Sequence, residues 1–491
     1  MNRIRPLLVA LLLLLTACAS DPASGDKSFT PFMSPEQERQ IGAREHPRLV
    51  AEMGGVYREA ALQAYVSAIG DKLVSVSETP DHPYTFTVID SDDVNAFALP
   101  GGYVHVTRGL LALANSEAEL AGVLAHEIGH VVARHSAQRY SQSVAVGMGA
   151  AIIGAIASAA GAPAGGDLAV FGAQAYLQRY SREQELEADR LAVRYLIRAG
   201  YDPQAMATFL QTLNDSSRLQ AKLAGRPDDA ADGKNIMASH PRTDDRVAQA
   251  NRLAAQAGAS EQREDRDTYL MRIDGIIYGD SPAQGLRIGR DFYHPGLRFT
   301  FRVPPDFIMI NRPSQVIARG PRGSLIVFDK AAAPARRDPA LYVGRDWGGR
   351  LDLTPVERID VNGMNGATAA ARVETRGGVA NVRLVAIEAK PARLYRFIFL
   401  TPPRLAERLA PDLKQAIFSF RRLSEAEAEA VQPLRLRVTT VGPDDTVANF
   451  AANMAFADHQ TERFLVLNRI DADEPLRPGR KVKIVARGGV Q

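Results

Sequence analysis

The sequence predicts a multidomain α+β protein: a mainly helical first domain with a small sheet, then an α+β domain, then a small βααβ module. Two observations predict this order. Helical periodicity with short strand patterns continues to about residue 257, whereas alternating strand patterns such as "LRFTFRVP" and "SLIVFDKA" dominate between 268 and 424. Polar linkers, "AGASEQREDRD" and "SEAEAEAVQP", separate the parts and place the last one at 433–487.

The composition is that of an ordinary globular protein, because 46% of the residues are apolar and 23% are charged. With 59 basic and 56 acidic residues in a chain of 491, the formal net charge is only +3. So weak an imbalance gives no reason to expect nucleic acid as a partner. The length is enough for about three domains.

The first residues have the pattern of an export signal. Arg3 and Arg5 precede an apolar run that is too short to span a bilayer, and the run ends in "LTAC" at Cys18. This ending resembles a bacterial lipobox, which implies a lipoprotein signal peptide over 1–18 and lipid on Cys18; the alternative is a plain signal peptide with a chance cysteine. Cys18 is the only cysteine, so an internal disulfide is excluded. Residues 19–32 are predicted to be a tether, followed by a domain over 33–257.

A charge-free stretch from Tyr140 to Gly166 contains "VAVGMGAAIIGAIASAAG". It is either a membrane span or a lid packed near the functional site. Since glycine and alanine dominate it rather than leucine and isoleucine, we favour the lid.

The stretch "LAGVLAHEIGHVVARH" places His126, Glu127 and His130 in an otherwise apolar run. Ser116 and Glu119 form a capping-box pattern that predicts the start of a helix. Two histidines four positions apart project from one face of a helix, which suits two ligands of a single tetrahedral Zn²⁺. Glu127, next to the first ligand, is then positioned to take a proton from an attacking water.

The third zinc ligand is expected in "SREQELEADRLAVRYL", where two glutamates compete. Helical periodicity places Glu185 and Asp189 on the apolar face and Glu187 on the charged face. We therefore predict Glu185 as the ligand, with Asp189 accepting a hydrogen bond from a ligating histidine. The alternative is an ordinary charged helix whose inward carboxylates have no function, but unpaired buried carboxylates are costly.

These motifs, together with "NAFALPGGYVHVTRGLL" and "SHPRTDDR", resemble the HtpX- and BepA-like zinc metallopeptidases, which are gluzincins related to the CaaX prenyl endopeptidases. The resemblance implies a zincin-type domain in which His126, His130 and Glu185 bind one Zn²⁺ and Glu127 is the general base. Asp189 matches the acid of the ExxAD motif. The family also suggests that "GGYVHVT" is an edge strand against which an extended peptide pairs.

The resemblance leaves the role of one further histidine open. His240, in "ASHPRTDDR", matches a histidine that can reach the metal in BepA-like proteins. There it either occupies a resting fourth position or assists catalysis by stabilising the oxyanion. Another histidine, His135, follows the predicted helix that carries His126 and His130, and it is expected to cap the end of that helix.

The segment 433–487 resembles a LysM module. "RLRVTTVGPDDTVANFAANM" supplies a strand and a first helix, and "ERFLVLNRI" with "LRPGRKVKIV" supplies a second helix and a closing strand. Peptidoglycan binding is one reading of the segment, and a packing or protein-interaction module is the other.

The sequence therefore predicts a zinc metalloendopeptidase on the periplasmic side of the outer membrane, anchored by lipid on Cys18. Its expected partners are misfolded or stalled envelope proteins as substrates, the membrane, and peptidoglycan, but no nucleic acid. The alternative is a non-proteolytic envelope scaffold with a latent zinc site. The role of residues 268–424 does not follow from the sequence.

Overall fold

A computed structural model describes residues 18–20, 27–144, 179–225, 236, 240, 244–256, 263–331, 338–375, 378–390 and 393–488. The chain mixes helices with several separate sheets. It divides into two compact units: Met1–Tyr278 with Arg435–Ala486, and Gly279–Leu434 with Arg487–Gln491. The metal-binding motifs all lie in the first unit.

The first unit consists mainly of helices, and three of them begin at a serine cap: Ser34, Ser116 and Ser181. The hydroxyl of Ser116 accepts from the backbone N–H of Glu119, as predicted, but the carboxylate of Glu119 accepts from Asn115 instead of closing the capping box. Ser181 and Gln184 form a complete capping box at the start of another helix. The helices are α1 (Pro35–Glu52), α2 (Ala60–Ser75), α3 (Arg108–Leu113), α4 (Glu117–Val132), α5 (Arg182–Arg198), α6 (Gln204–Leu223), α7 (Asp244–Gln256) and α8 (Arg266–Ile273).

A three-stranded sheet packs beside α4 in the order β3-β5-β4. The strands before the second unit are β1 (Cys18–Ser20), β2 (Lys27–Phe29), β3 (Thr85–Ile89), β4 (Ala96–Leu99), β5 (Tyr103–Thr107) and β6 (Ile277–Tyr278). Because β5 pairs with β3 on one side and β4 on the other, the prediction that "GGYVHVT" forms an edge strand is wrong. The edge next to the motif helix is β4, since both hydrogen-bonding sides of β5 are already used.

The second unit is built on antiparallel strands. Its elements are β7 (Leu286–Ile288), β8 (Asp291–His294), β9 (Phe299–Arg302), β10 (Ile308–Arg312), β11 (Gln315–Arg319), β12 (Leu325–Lys330), β13 (Glu357–Asp360), β14 (Asn365–Thr375), β15 (Gly378–Lys390), β16 (Arg393–Thr401), α9 (Ala406–Phe418), β17 (Arg421–Arg422) and α10 (Glu425–Ala430). Short helical turns occupy Pro321–Gly323, Pro339–Leu341, Tyr342–Trp347 and Pro403–Leu405. One sheet has the order β10-β11-β12-β16-β15-β14-β13, and the other β17-β9-β8-β7.

Alternation along β15 explains why the larger sheet is covered on both faces. Val385 and Ile387 join a phenylalanine-rich core that includes residues of β9 and α9, whereas Leu384 and Ala386 join a second cluster around Val343. Successive side chains of a strand point to opposite faces, so one strand contributes to both cores.

The last segment follows the second unit in the chain but clusters with the first. Its elements are β18 (Leu434–Thr440), α11 (Val447–Ala452), α12 (Gln460–Asn468) and β19 (Lys481–Arg487), and β18 lies between β19 and β6. Lys483 of β19 is fully buried, and its Nζ donates to the carbonyls of Ala112, Leu113 and Ala114 at 2.8–3.0 Å. It thereby satisfies carbonyls that the end of α3 leaves without helical partners.

Within the described ranges, every helix is too short or too polar to cross a bilayer. Residues 1–17 of the predicted signal peptide (1–18) and residues 145–166 of the charge-free stretch lie outside the described residues.

Candidate metal centre

The motif helix α4 lies in the interior of the first unit, with fifteen of its sixteen residues buried. His126, Glu127 and His130 are 3%, 0% and 2% exposed. Their spacing places both histidines on one face, and the Nε2 atoms of His126 and His130 approach to 3.1 Å. Two buried imidazoles with nitrogens converging in this way suit a shared cation.

Glu185 of α5 and His240 complete a buried group of four residues whose ligand atoms all lie within 4.8 Å of one another. Nε2 of His126 and Nε2 of His130 each lie 3.6 Å from a carboxylate oxygen of Glu185, and Nδ1 of His240 lies 3.2 Å from Nε2 of His126. Zinc–nitrogen bonds of about 2.05 Å in a tetrahedron separate ligand atoms by about 3.4 Å. The donor set and its spacing therefore fit one Zn²⁺.

Burial and neighbouring charges both shift the pKa values of these groups, in opposite directions at Glu185 and His126 but in the same direction at His130. Burial raises the pKa of Glu185, but the neighbouring His240 and His126 outweigh it and hold that pKa well below its usual range. Burial and the nearby charge of His126 lower the pKa of His130 well below its usual value. Burial also lowers the pKa of His126, but Asp189 and Glu185 raise it to about 9. A zinc ligand must be deprotonated, so the pKa shifts of Glu185 and His130 favour metal binding, whereas that of His126 opposes it.

Asp189 connects the cluster to an arginine that the sequence analysis did not single out. Its Oδ1 lies 2.9 Å from Nδ1 of His126, as expected for an acid that orients a ligand. Arg246 of α7, only 1% exposed, donates to both oxygens of Asp189 at 2.7 and 2.8 Å, and its Nη1 lies 2.6 Å from Glu185. Although burial raises the pKa of Asp189, Arg246 keeps it below its usual value. Arg246 belongs to the quoted motif "SHPRTDDR".

Two rings contact the ligand His130, those of His135 and Tyr180, and neither contact was identified from the sequence. His135 is fully buried, and its Nδ1 lies 2.7 Å from Nδ1 of His130, while its Nε2 lies 3.3 Å from Glu187. The expected capping role for His135 stays a prediction, and its ring contacts the second histidine of the motif. Tyr180 stacks on His130 with ring centroids 3.8 Å apart, and the guanidinium of Arg139 lies 3.9 Å from the Tyr180 ring centroid.

Glu127 differs from the other carboxylates of the centre. It is fully buried, and neither of its oxygens has a hydrogen-bond partner among the described residues. Its Oε1 lies 3.6 Å from Nε2 of His240. Leaving a buried acceptor without a partner is costly. We therefore infer that this carboxylate accepts a hydrogen bond from a group outside the chain, such as a water molecule.

The structure thus brings together all six residues that the sequence analysis selected as ligands or catalytic groups, and it keeps Glu187 outside the cluster. Their individual roles remain predictions. Two histidines four apart on one helix, an adjacent glutamate and a third ligand from a second helix define a metallopeptidase-type zinc domain.

Comparison with known proteins gives the particular family. Residues 60–254 match the family described as Peptidase family M48, whose metallopeptidases are zinc-dependent, and the chain contains a domain of this family. It is 34% identical over 257 residues to the beta-barrel assembly-enhancing protease of Yersinia pestis, covering 50% of each chain. The protein of the same name from Escherichia coli is 33% identical over 246 residues, which are 48% of this chain and 47% of that one.

A more distant relative is the mitochondrial metalloendopeptidase OMA1 of Schizosaccharomyces pombe, 32% identical over 198 residues. The match covers 39% of this chain and 56% of the relative. The chain spans about half the length of the curated relatives it matches. The resemblance therefore concerns the peptidase domain.

Proposed function

We propose that the protein is a zinc-dependent endopeptidase in which His126, His130 and Glu185 hold the metal and Glu127 is the general base. The observation that carries the proposal is the buried carboxylate of Glu127, which has no hydrogen-bond partner in the described part of the chain and lies directly beside four convergent ligand groups. Buried acceptors in proteins normally have a hydrogen-bond partner, so a buried carboxylate without one indicates a functional role.

The bound Zn²⁺ supplies Lewis-acid chemistry, polarising the scissile carbonyl and lowering the pKa of water to about 7. An oxygen of Glu127 accepts the proton of the attacking water and delivers it to the leaving amide nitrogen. Asp189, fixed by two hydrogen bonds from Arg246, holds the ring of His126 in orientation. His135 does the same for His130, because its Nδ1 is within hydrogen-bonding distance of Nδ1 of that ring.

His240 has two possible roles, and its position favours one of them. Its Nδ1 lies 2.9 Å from Glu185 and 3.2 Å from His126, among the ligand atoms themselves. We propose that it occupies the fourth position and limits the basal activity, since substrate must displace it from the open position that a catalytic zinc needs. His240→Ala should then increase cleavage, whereas a role in stabilising the oxyanion predicts a loss of about 10²-fold or more in kcat.

The test uses purified protein lacking the first eighteen residues, loaded with zinc, and an unfolded casein-like substrate. Wild type and Glu127→Gln should each contain one zinc per chain, with cleavage reduced about 10²–10⁴-fold in the variant. Glu183→Gln, on the exposed face of α5, is the matched control and should cleave like wild type. Zinc without cleavage in wild type and in His240→Ala would instead favour the scaffold alternative.

We further propose that the protein acts in the periplasm, anchored in the outer membrane by lipid on Cys18, on misfolded or stalled envelope proteins. The lipobox-like sequence supports the anchor, and the names of the bacterial relatives support a role in envelope protein assembly. Labelled palmitate should be incorporated into wild type but not into Cys18→Ala. Envelope proteins that accumulate in cells expressing Glu127→Gln, but not in cells expressing wild type, would identify substrates.

Peptidoglycan binding by the last segment is a separate proposal, supported by its βααβ order. Because Lys483 and Arg469 of this segment contact Ala112 and Glu119 in the N-terminal part of the first unit, the test uses the whole protein. Cosedimentation of full-length protein with purified sacculi is the expected result, and protein that stays in the supernatant would refute the proposal.

A further inference from the structure

A cavity of about 190 Å³ lies directly beside the metal cluster. It is lined largely by apolar side chains, and five segments of the first unit contribute to it. The main lining residues are Leu99, Pro100, His130, Val131, Val132 and Tyr180. Because His130 also belongs to the ligand cluster, the cavity and the metal centre share a wall.

The cavity begins where the edge strand β4 ends. Ala98 and Leu99 of β4 line it, together with Pro100 and Gly101, which follow the strand. One side of β4 pairs with β5, and among the described residues no strand pairs with the other side. An extended peptide can add to such an edge through backbone hydrogen bonds while its side chains enter adjacent pockets.

The volume of the cavity and the charges of its lining residues indicate which side chains it can bind. An apolar protein cavity of about 150 Å³ holds a benzene molecule, so about 190 Å³ accommodates a phenyl or phenol ring. The charged residues Glu38 and Arg134, which also line it, pair with each other at 3.0 Å and therefore offer no net charge for an ionic side chain. Tyr180 also lines it, and because His130 and Arg139 cover the two faces of its ring, a second ring can pack only against the ring edge.

We propose that this cavity is a specificity pocket that takes a large aromatic side chain of the peptide substrate. The proposal rests on the proposed peptidase function and names the class of substrate for the same site. At about 3.3 Å per residue of extended chain, a pocket that shares His130 with the cluster holds a residue within about two positions of the cleaved bond. Which side of that bond it occupies is read from the cleavage products.

The experiment uses the full zinc-loaded protein and a library of unstructured peptides, with cleavage sites determined by mass spectrometry. Val131 is half-buried at the cavity wall, so Val131→Trp fills the cavity from an accessible position, whereas Val131→Ala leaves it open. The matched control is Ile197→Trp, at a position 40% exposed on α5 and away from the cavity. Circular dichroism confirms that each variant is folded.

Wild type, Val131→Ala and Ile197→Trp should favour phenylalanine and tyrosine over alanine at one fixed position by about tenfold or more in kcat/KM. Val131→Trp should lose this preference and favour small side chains there. Cleavage without any aromatic preference, or with a preference that Val131→Trp does not change, would overturn the specificity pocket while leaving the peptidase function in place.

A binding measurement separates failure of the pocket from failure of the peptidase function. Fluorescence polarisation of a phenylalanine-containing peptide and its alanine counterpart is measured on zinc-loaded Glu127→Gln, with and without Val131→Trp. If wild type cleaves nothing but the aromatic peptide binds about tenfold more tightly in a manner sensitive to Val131→Trp, the pocket stands and the proposed function fails. Equal binding of the two peptides refutes the pocket.

Discussion

Replacing Arg246 by methionine removes the guanidinium that lies between Asp189 and Glu185. All three side chains are at most 2% exposed, and the guanidinium reaches Asp189 at 2.7 Å and Glu185 at 2.6 Å. Removing one partner of a buried ion pair costs about 3–5 kcal/mol, and here two carboxylates lose their partner, so we expect the upper part of that range. Arg194→Met, which removes a half-exposed ion pair with Glu78, should cost about 1 kcal/mol or less.

The measurement is urea unfolding followed by far-ultraviolet circular dichroism. Tryptophan fluorescence is unsuitable, because the only tryptophan, Trp347, lies in the second unit whereas the helices of the centre lie in the first. The loss should be larger in chelator-treated than in zinc-loaded protein, since the cation also compensates Glu185. Adding Asp189→Asn to Arg246→Met should restore part of the stability. An Arg246→Met variant as stable as Arg194→Met would refute the reasoning.

Three further outcomes are expected. Chelation should lower the stability of wild type by about 3 kcal/mol relative to protein with zinc at about 100 times its Kd, and zinc should restore it; an unchanged melting temperature would argue against a metal at the centre. His135→Phe should keep the ring volume but weaken zinc binding about 10–100-fold in competition with a fluorescent chelator, whereas unchanged affinity would mean that His135 does not orient His130. Lys483→Met should destabilise the first unit by about 2–3 kcal/mol in urea unfolding, because three buried carbonyls at the end of α3 lose their donor. Lys222→Met, at an exposed ion pair, should cost about 1 kcal/mol or less. Equal effects of the two lysine substitutions would refute that role for Lys483.

The sequence predicted those features of the metal centre whose geometry follows from helical periodicity. His126 and His130 share a helix face because they are four residues apart, and the apolar stripe of α5 identifies Glu185 rather than Glu187 as the inward carboxylate. A buried polar group in an apolar run is a strong signal, since burial without a partner is unfavourable.

The sequence did not reveal contacts that depend on distant parts of the chain. Arg246 is 57 residues from Asp189, and in "TDDR" it looks like part of a solvated charged surface. In "KVKIV", Lys483 alternates with apolar residues and looks outward-facing, yet it is fully buried. The error over β5 has a similar origin, because alternation places residues on two faces of a sheet but does not order its strands.

The position of Lys483 also has a consequence for the timing of folding. Its bonds to α3 close loops of about 370 residues, the distance in sequence between Ala112 and Lys483. Contacts of such long range form late and slow folding down, because the entropy of loop closure opposes them before they contribute stability. We therefore expect the peptidase unit to reach its native packing only after residue 483 has been synthesised. A nascent chain, or one cut before this residue, should hold α3 loosely and show little activity.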